Sequence, residues 1–222
     1  MELSKKEALE IDKGIWVIGD IHGCYNELKE LSTYINKNCE VVCVGDLIDR
    51  GNYSKEVIDF IIKNNYKSVL GNHEIMAYSY YDLWLLHGGI ETLESFKNEK
   101  NLNFYKNFFI NLPLYLYYEF SEERPLLITH SFALTLWKGK DFPYSYAYFN
   151  DILWKHSNNL FEKKELKYET VDNVFNIFGH TPIKIPFITQ DFANIDTGCV
   201  YKNKLSAIHY PTLNTISIKN ID

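Results

Sequence analysis

The segments IWVIGD (15–20), VVCVGD (41–46) and SVLGN (68–72) each end a short apolar run in glycine followed by an acid or its amide. Asp20, Asp46 and Asn72 are evenly spaced, 26 residues apart. The first interval holds NELKELSTYINKN, with Leu28, Leu31 and Ile35 at helical spacing; the second holds SKEVIDFIIKNN, with Ser54 as its expected N-cap. Apolar strand, polar turn and amphipathic helix in alternation predict parallel βαβ units. A parallel sheet places its ligand site at the carboxyl ends of its strands, so the three turns should meet at one edge.

Outward from this core, the chain has 222 residues, close to the length of one domain, and a single domain over 1–222 is expected. A chain of this size removes roughly 70% of its unfolded surface from water, enough for a core without disulfides. With 29 acidic and 23 basic side chains the net charge is −6, which argues against a general nucleic-acid binder. An anionic ligand would need locally placed positive charge. The first residues, MELSKKEALEIDKG, hold no apolar leader-like run, and nothing approaches the roughly 18 to 20 uncharged apolar residues of a membrane span. No membrane partner and a cytoplasmic location are expected. Cys24, Cys39, Cys43 and Cys199 form no Cys-x-x-Cys pair and read as reduced thiols, Cys39 and Cys43 on or beside a core strand.

Of 35 aromatic residues, 20 fall between Met76 and Phe149. This stretch, about 76–149, reads as a partly helical elaboration packed beside the sheet, because no Gly/Ser/Pro-rich linker sets it apart. IMAYSYYDLWLLH and GGIETLESFKN predict one or two helices; LYLYYEF and PLLITH predict strands. FNIFGH and ANIDTGCVYKNKLSAIHY add strand signals, and the last of these pairs antiparallel with TISI, KNK serving as a turn.

The glycine turns have companions. The first continues as Gly19-Asp20-Ile21-His22-Gly23, the second as Gly45-Asp46-Leu47-Ile48-Asp49-Arg50-Gly51, the third as Gly71-Asn72-His73-Glu74, and later strands end in His130 and in Gly179-His180-Thr181-Pro182. Five strand ends thus deliver Asp20, His22, Asp46, Asn72, His130 and His180, an oxygen and nitrogen set suited to manganese, iron or zinc. GDIHG, GDLIDRG, GNHE, the late His130, GHTP and IDTGCVYKNKL together resemble the calcineurin-like metallophosphoesterases, within them the phosphoprotein phosphatase group with its short bacterial and lambda-phage-type members. The resemblance runs from Gly19 to about Leu205.

That resemblance implies an α/β fold, a four-layer αββα sandwich with a two-metal site at strand C-terminal ends. Asp20, His22 and Asp46 would bind one divalent ion and Asp46, Asn72, His130 and His180 the other, manganese being first choice and iron or zinc possible. Hydrolysis of a phosphate ester by a metal-bridging hydroxide needs a proton for the departing oxygen. His73 would supply it as general acid, held by Asp49. Arg50 offers a planar fork for phosphate oxygens beside Asn72. The chain has only two arginines, Arg50 and Arg124. Lambda-type members carry a second phosphate-binding arginine after a Leu-Trp pair, whereas this chain reads Leu153-Trp154-Lys155-His156, so either Lys155 or His156 takes that role or the clamp is absent. Ser131-Phe132 after His130 also departs from the small residues usual there. Glu74 reads as a first-turn helix acid, and His87 and His209 match no motif.

The first functional expectation is a serine/threonine protein phosphatase. The second keeps the site and takes dinucleoside tetraphosphates, cleaved symmetrically, or cyclic nucleotides. A third, a catalytically silent binding module, predicts losses among the site residues; none has occurred at His73, Asp49 or the six ligand positions, and the missing second arginine is its one support. The expected partner is a phosphorylated protein or a small phosphate ester.

Overall fold

The structure, a computed structural model, describes the chain except at Asn98, Pro143, 146–149, Asp151, 158–170 and Asp222, and describes 99–101, 103 and 104 by backbone alone. Tyr146, Tyr148 and Phe149 of the aromatic stretch therefore lie outside the described residues.

Helix α1 (Lys5–Glu10) starts at a capping box in which Ser4 and Glu7 exchange hydrogen bonds. The expected units follow: β1 (Ile15–Ile18), α2 (Tyr25–Ser32), β2 (Glu40–Cys43), α3 (Ser54–Lys63) and β3 (Lys67–Ser68). β1 pairs with β2, and β2 with β3, both in parallel. Ile35 falls beyond the end of α2 yet is buried. Ser54 is not the N-cap of α3 but its first residue. Tyr53 caps without a side-chain bond, because the Ser54 hydroxyl is turned toward the preceding loop, where it accepts from Asp49 N at 3.1 Å.

The middle of the chain forms α4 (Asn72–Ser79), α5 (Tyr81–Trp84), α6 (Ile90–Phe96) and α7 (Glu99–Ile110), the first three where one or two helices were expected. Non-helical backbone at His87 and Gly88, the latter at φ +103°, breaks the run between α5 and α6. Then come β4 (Tyr115–Tyr118), β5 (Leu126–Thr129), β6 (Phe175–Phe178), β7 (Phe187–Ile188), β8 (Phe192–Asn194), β9 (Lys204–Tyr210) and β10 (Thr215–Lys219).

Two five-stranded mixed sheets result, ordered β10-β9-β1-β2-β3 and β4-β5-β6-β8-β7. Each has a parallel centre with antiparallel strands added at one or both edges. β9 and β10 pair antiparallel as expected, but their hairpin reverses at 211–214. The Lys202-Asn203-Lys204 stretch instead closes the short helical turn Cys199–Tyr201 and feeds β9, with Lys202 at φ +65°.

Every residue of β1 is buried, and alternate residues go to different layers. Ile15 and Val17 pack between the sheets with Val42, Leu126, Ile128, Ile177 and Ile208. Trp16 and Ile18 face the helices, among Leu28, Leu31, Ile61, Trp84 and Phe109. Each fully buried side chain of this size stabilises by about 1.5–3 kcal/mol. Sheet faces sheet; α2 to α7 cover the outer face of the first, and Phe132, Leu134, Trp137 and Ile152 pack on the outer face of the second, giving the four layers. The aromatic stretch serves both outer layers: Trp84, Phe96 and Phe109 join the first, while Tyr117 stacks on Trp137 at 5.6 Å over the second sheet. All four cysteines are free and buried. Among the described residues, no helix is long and apolar enough to cross a membrane.

Candidate active site

Two glycines let the strand ends approach closely. A Cβ on Gly179 would stand 2.0 Å from Asp20 Oδ1, and one on Gly71 2.3 Å from Asp46 N, so neither place admits a side chain. Five residues at this edge, His22, Asp46, Asp49, Arg50 and His180, have φ between +46° and +76°. Such conformations cost non-glycine residues about 1–3 kcal/mol each and persist only where surrounding contacts impose them.

One of those contacts is Glu74, in the first turn of α4 as expected. Its carboxylate also accepts the backbone N–H groups of Asp46 (3.0 Å), Leu47 (2.8 Å) and Gly71 (3.0 Å), fixing the turn after β2 against the turn after β3.

Asp46 lies at the centre. Its Oδ1 accepts the His73 N–H at 3.0 Å and is 3.4 Å from His130 Nε2, while its Oδ2 is 3.4 Å from His22 Nε2. Asn72 Oδ1 stands 2.8 Å from His130 Nε2 and 3.0 Å from His180 Nδ1, and those two nitrogens are 3.1 Å apart. Asp20 accepts the His180 backbone N–H on both carboxylate oxygens at 3.1 Å. All six residues expected as ligands therefore converge.

The donor set fits cations. His22 Nδ1 and His130 Nδ1 each lie 2.8 Å from a carbonyl, of Ile48 and Val44, which assigns the hydrogen to Nδ1 and leaves Nε2 as the acceptor. His130 Nε2, His180 Nδ1 and Asn72 Oδ1 then crowd together with at most one hydrogen among them. Asp20, Asp46, Asp49, Glu74 and Asp196 are all buried around this point. Burial drives Asp20 well above the usual carboxylate range and pushes Asp196 up to about 7 and Glu74 up to about 8. Burial also drives His22 well below the imidazole range and takes His130 and His180 down to about 3. Neutral imidazoles beside crowded carboxylates are the environment that divalent ions complete.

Beside this centre, His73 Nδ1 lies 2.6 Å from Asp49 Oδ2, with one proton between them. Its other nitrogen, Nε2, faces Asp46 Oδ2 at 3.9 Å. Asp49 is held further by Trp84 Nε1, 2.8 and 2.9 Å from its two oxygens, and by the Thr92 hydroxyl at 2.7 Å. Burial takes His73 down to about 4 and Asp49 up to about 7, and the Thr92 and Trp84 donors oppose the rise at Asp49.

Arg50 Nη1 is 2.5 Å from His22 Nε2, donating into a lone pair suited to a cation, and Arg50 Cζ lies 5.5 Å from the ring centre of Tyr201. His156 is exposed, its ring 4.9 Å from that of His180. Lys155 is directed instead to Thr135, donating to its hydroxyl at 3.1 Å. His87 is exposed on the turn after α5, and His209 is a core residue bonded to Lys13 O and Thr212.

Sequence reading assigned no role to Asp196, Tyr201, Trp84 or Thr92. The acid closing the apolar run ANID offered a signal for Asp196. Trp84 and Thr92 offered none, since their contact with Asp49 is a product of packing.

A family model for calcineurin-like phosphoesterases matches residues 14–201. The chain is 29% identical over 229 residues to a protein of Anoxybacillus flavithermus named bis(5'-nucleosyl)-tetraphosphatase PrpE, asymmetrical, with 91% of this chain and 92% of that one covered. A protein of the same name from Bacillus cereus is 27% identical, with the same shares covered. In structure, the chain resembles a protein provisionally described as a diadenosine tetraphosphatase (TM-score 0.68, 18% identity, 96% of each chain). It also resembles a serine/threonine phosphatase of Saccharomyces cerevisiae (TM-score 0.62, 16% identity, 98% of this chain and 90% of that one).

Proposed function

The chain belongs to the calcineurin-like phosphoesterase family, and from that premise we propose that this metallophosphoesterase hydrolyses dinucleoside tetraphosphates asymmetrically. The observation carrying this reading is the likeness to the two PrpE proteins over nine tenths of each chain. The half-exposed ring of Tyr201, beside the Arg50 guanidinium, supports it by offering a nucleobase a face near the phosphate site.

Asp20, His22 and Asp46 would hold one divalent ion, and Asp46, Asn72, His130 and His180 the second, with manganese the first candidate. When bound, such a pair neutralises phosphoryl oxygens and makes an attacking hydroxide available at neutral pH. Arg50 grips two phosphate oxygens through its planar fork, with Asn72 and His156 adding donors. His73 has Nδ1 tied to Asp49, so Nε2 is the nitrogen left to pass a proton to the leaving oxygen. The four buried thiols support a cytoplasmic setting, and all of 1–222 would act as one domain.

A second reading, hydrolysis of phosphoserine and phosphothreonine in proteins, is favoured by the same His73–Asp49 pair, because an alkoxide needs its proton more than a departing nucleotide does. A panel of diadenosine tetraphosphate, phosphopeptides and cyclic nucleotides under one manganese condition separates the readings. The proposal expects the highest kcat/KM on diadenosine tetraphosphate, with ATP and AMP as products. Two ADP would make the cleavage symmetrical, and a preference for phosphopeptides would replace the proposal with the second reading.

A further inference from the structure

Beside the phosphoesterase centre, α2 is capped by Cys24 and carries Glu27 in its first turn, and a short helical turn opens at Cys199. One ligand atom from each of Cys24, Glu27 and Cys199 lies within 4.8 Å of the others, and all three residues are buried. Glu27 is fully buried. Its Oε1 accepts from Asn220 Nδ2 at 3.1 Å and from Ile221 N at 2.6 Å, but its Oε2 has no partner. A buried carboxylate oxygen facing two thiols without a donor is costly and calls for a cation.

We infer that Cys24, Glu27 and Cys199 supply three ligands of a four-coordinate zinc site distinct from the two-metal centre. Zinc accepts sulfur and carboxylate oxygen together, and two sulfurs on one tetrahedral zinc stand about 3.8 Å apart, within the separation seen here. As the ion binds, two zinc–sulfur bonds form, both thiol protons leave to solvent, and no electron is transferred. The ligands then carry three negative charges against two positive ones. The N-terminal end of α2 and the two N–H donors on Glu27 Oε1 face the remaining charge. A disulfide between Cys24 and Cys199 would leave Glu27 Oε2 unpaired and would need an oxidant.

The site would act as a brace. Cys24 is two residues from His22 and its thiol donates to His22 O at 3.8 Å; Cys199 is three residues from Asp196; and Glu27 holds Asn220 and Ile221. Zinc there ties together the first and last turns entering the phosphoesterase centre.

The test uses the full chain, freed of metal, loaded with manganese and then given one equivalent of zinc or cobalt(II). Cobalt is expected to produce a thiolate-to-metal charge-transfer band that disappears in Cys24→Ser and Cys199→Ser, weakens in Glu27→Gln and persists in Cys39→Ser. On the unmutated protein, which removes any doubt about folding of variants, absorption at the zinc edge is expected to show sulfur scatterers at about 2.3 Å. Oxygen and nitrogen scatterers alone, a cobalt band unchanged by Cys199→Ser, or a native mass two hydrogens light from a disulfide would each overturn the site. None of these readouts depends on which phosphate ester is hydrolysed.

Discussion

Trp84 Nε1 stands 2.8 and 2.9 Å from the two carboxylate oxygens of Asp49, a residue 35 positions earlier in the chain. Through that indole a helix of the aromatic elaboration orients the acid that orients His73. Trp84→Phe keeps the ring's bulk and removes the donor, and a lost hydrogen bond to a charged group is worth about 1.5–3 kcal/mol. The expected result is a fall in kcat of about 10-fold with little change in KM, and a displaced pH–rate profile. Unchanged kcat at every pH would reduce Trp84 to a packing residue.

His73→Asn should lower kcat by about 10²–10⁴ on a phosphoserine peptide, the range of general acid catalysis. The loss should be smaller on an aryl phosphate or diadenosine tetraphosphate, whose leaving groups need less help. Metal content should stay near two per chain. Loss of metal instead would make His73 a ligand, and equal losses on all substrates would argue against proton delivery.

Protein stripped of metal should not hydrolyse an aryl phosphate and should recover with manganese. Because metal binds the folded state, manganese at 100 times its dissociation constant should also stabilise the fold by about 2.7 kcal/mol, seen as a raised Tm. Activity indifferent to chelation would remove the two-metal reading.

Glu74→Gln places an amide NH2 where a carboxylate accepted three backbone N–H groups. A cost of about 2–3 kcal/mol in denaturant unfolding is expected, together with weaker metal binding as the Asp46 turn relaxes. Wild-type stability and metal affinity would show that the brace is dispensable.

His209 tests the pH dependence of the fold apart from the metals. Burial holds its imidazole below the ordinary range, with Nε2 donating to Lys13 O at 2.7 Å. A depressed folded-state pKa contributes stability that is fully present above the unfolded value of about 6.5 and lost as pH falls through the lower folded value. Metal-free protein should therefore lose Tm as pH drops below about 6.5, and His209→Gln should flatten that slope. An identical slope in both proteins would assign the acid sensitivity to other groups.

The first sheet was legible because its order is local. In β1-α2-β2-α3-β3 each strand, turn and helix declares itself by period and by glycine, and the parallel connection leaves few ways to pack. The convergence of the six expected ligands was legible for the same reason: a residue at a strand end goes where the strand goes. Ser54 was misplaced because a hydroxyl beside a helix start can cap that helix or serve a neighbouring loop, and Asp49 N claimed it. The KNK stretch was misplaced because a turn signal does not say which strands it joins.

The sequence by itself determined the parallel core, the edge where the strand ends meet and which oxygen- and nitrogen-bearing side chains are carried there. Tertiary structure decided the pairing of β1 with β9, the burial of Asp196 beside Asp20 and Asp46, and the donors that hold Asp49. Those contacts join residues tens to nearly two hundred positions apart. They arise only when sheets and helices pack, and no local propensity in either partner records them.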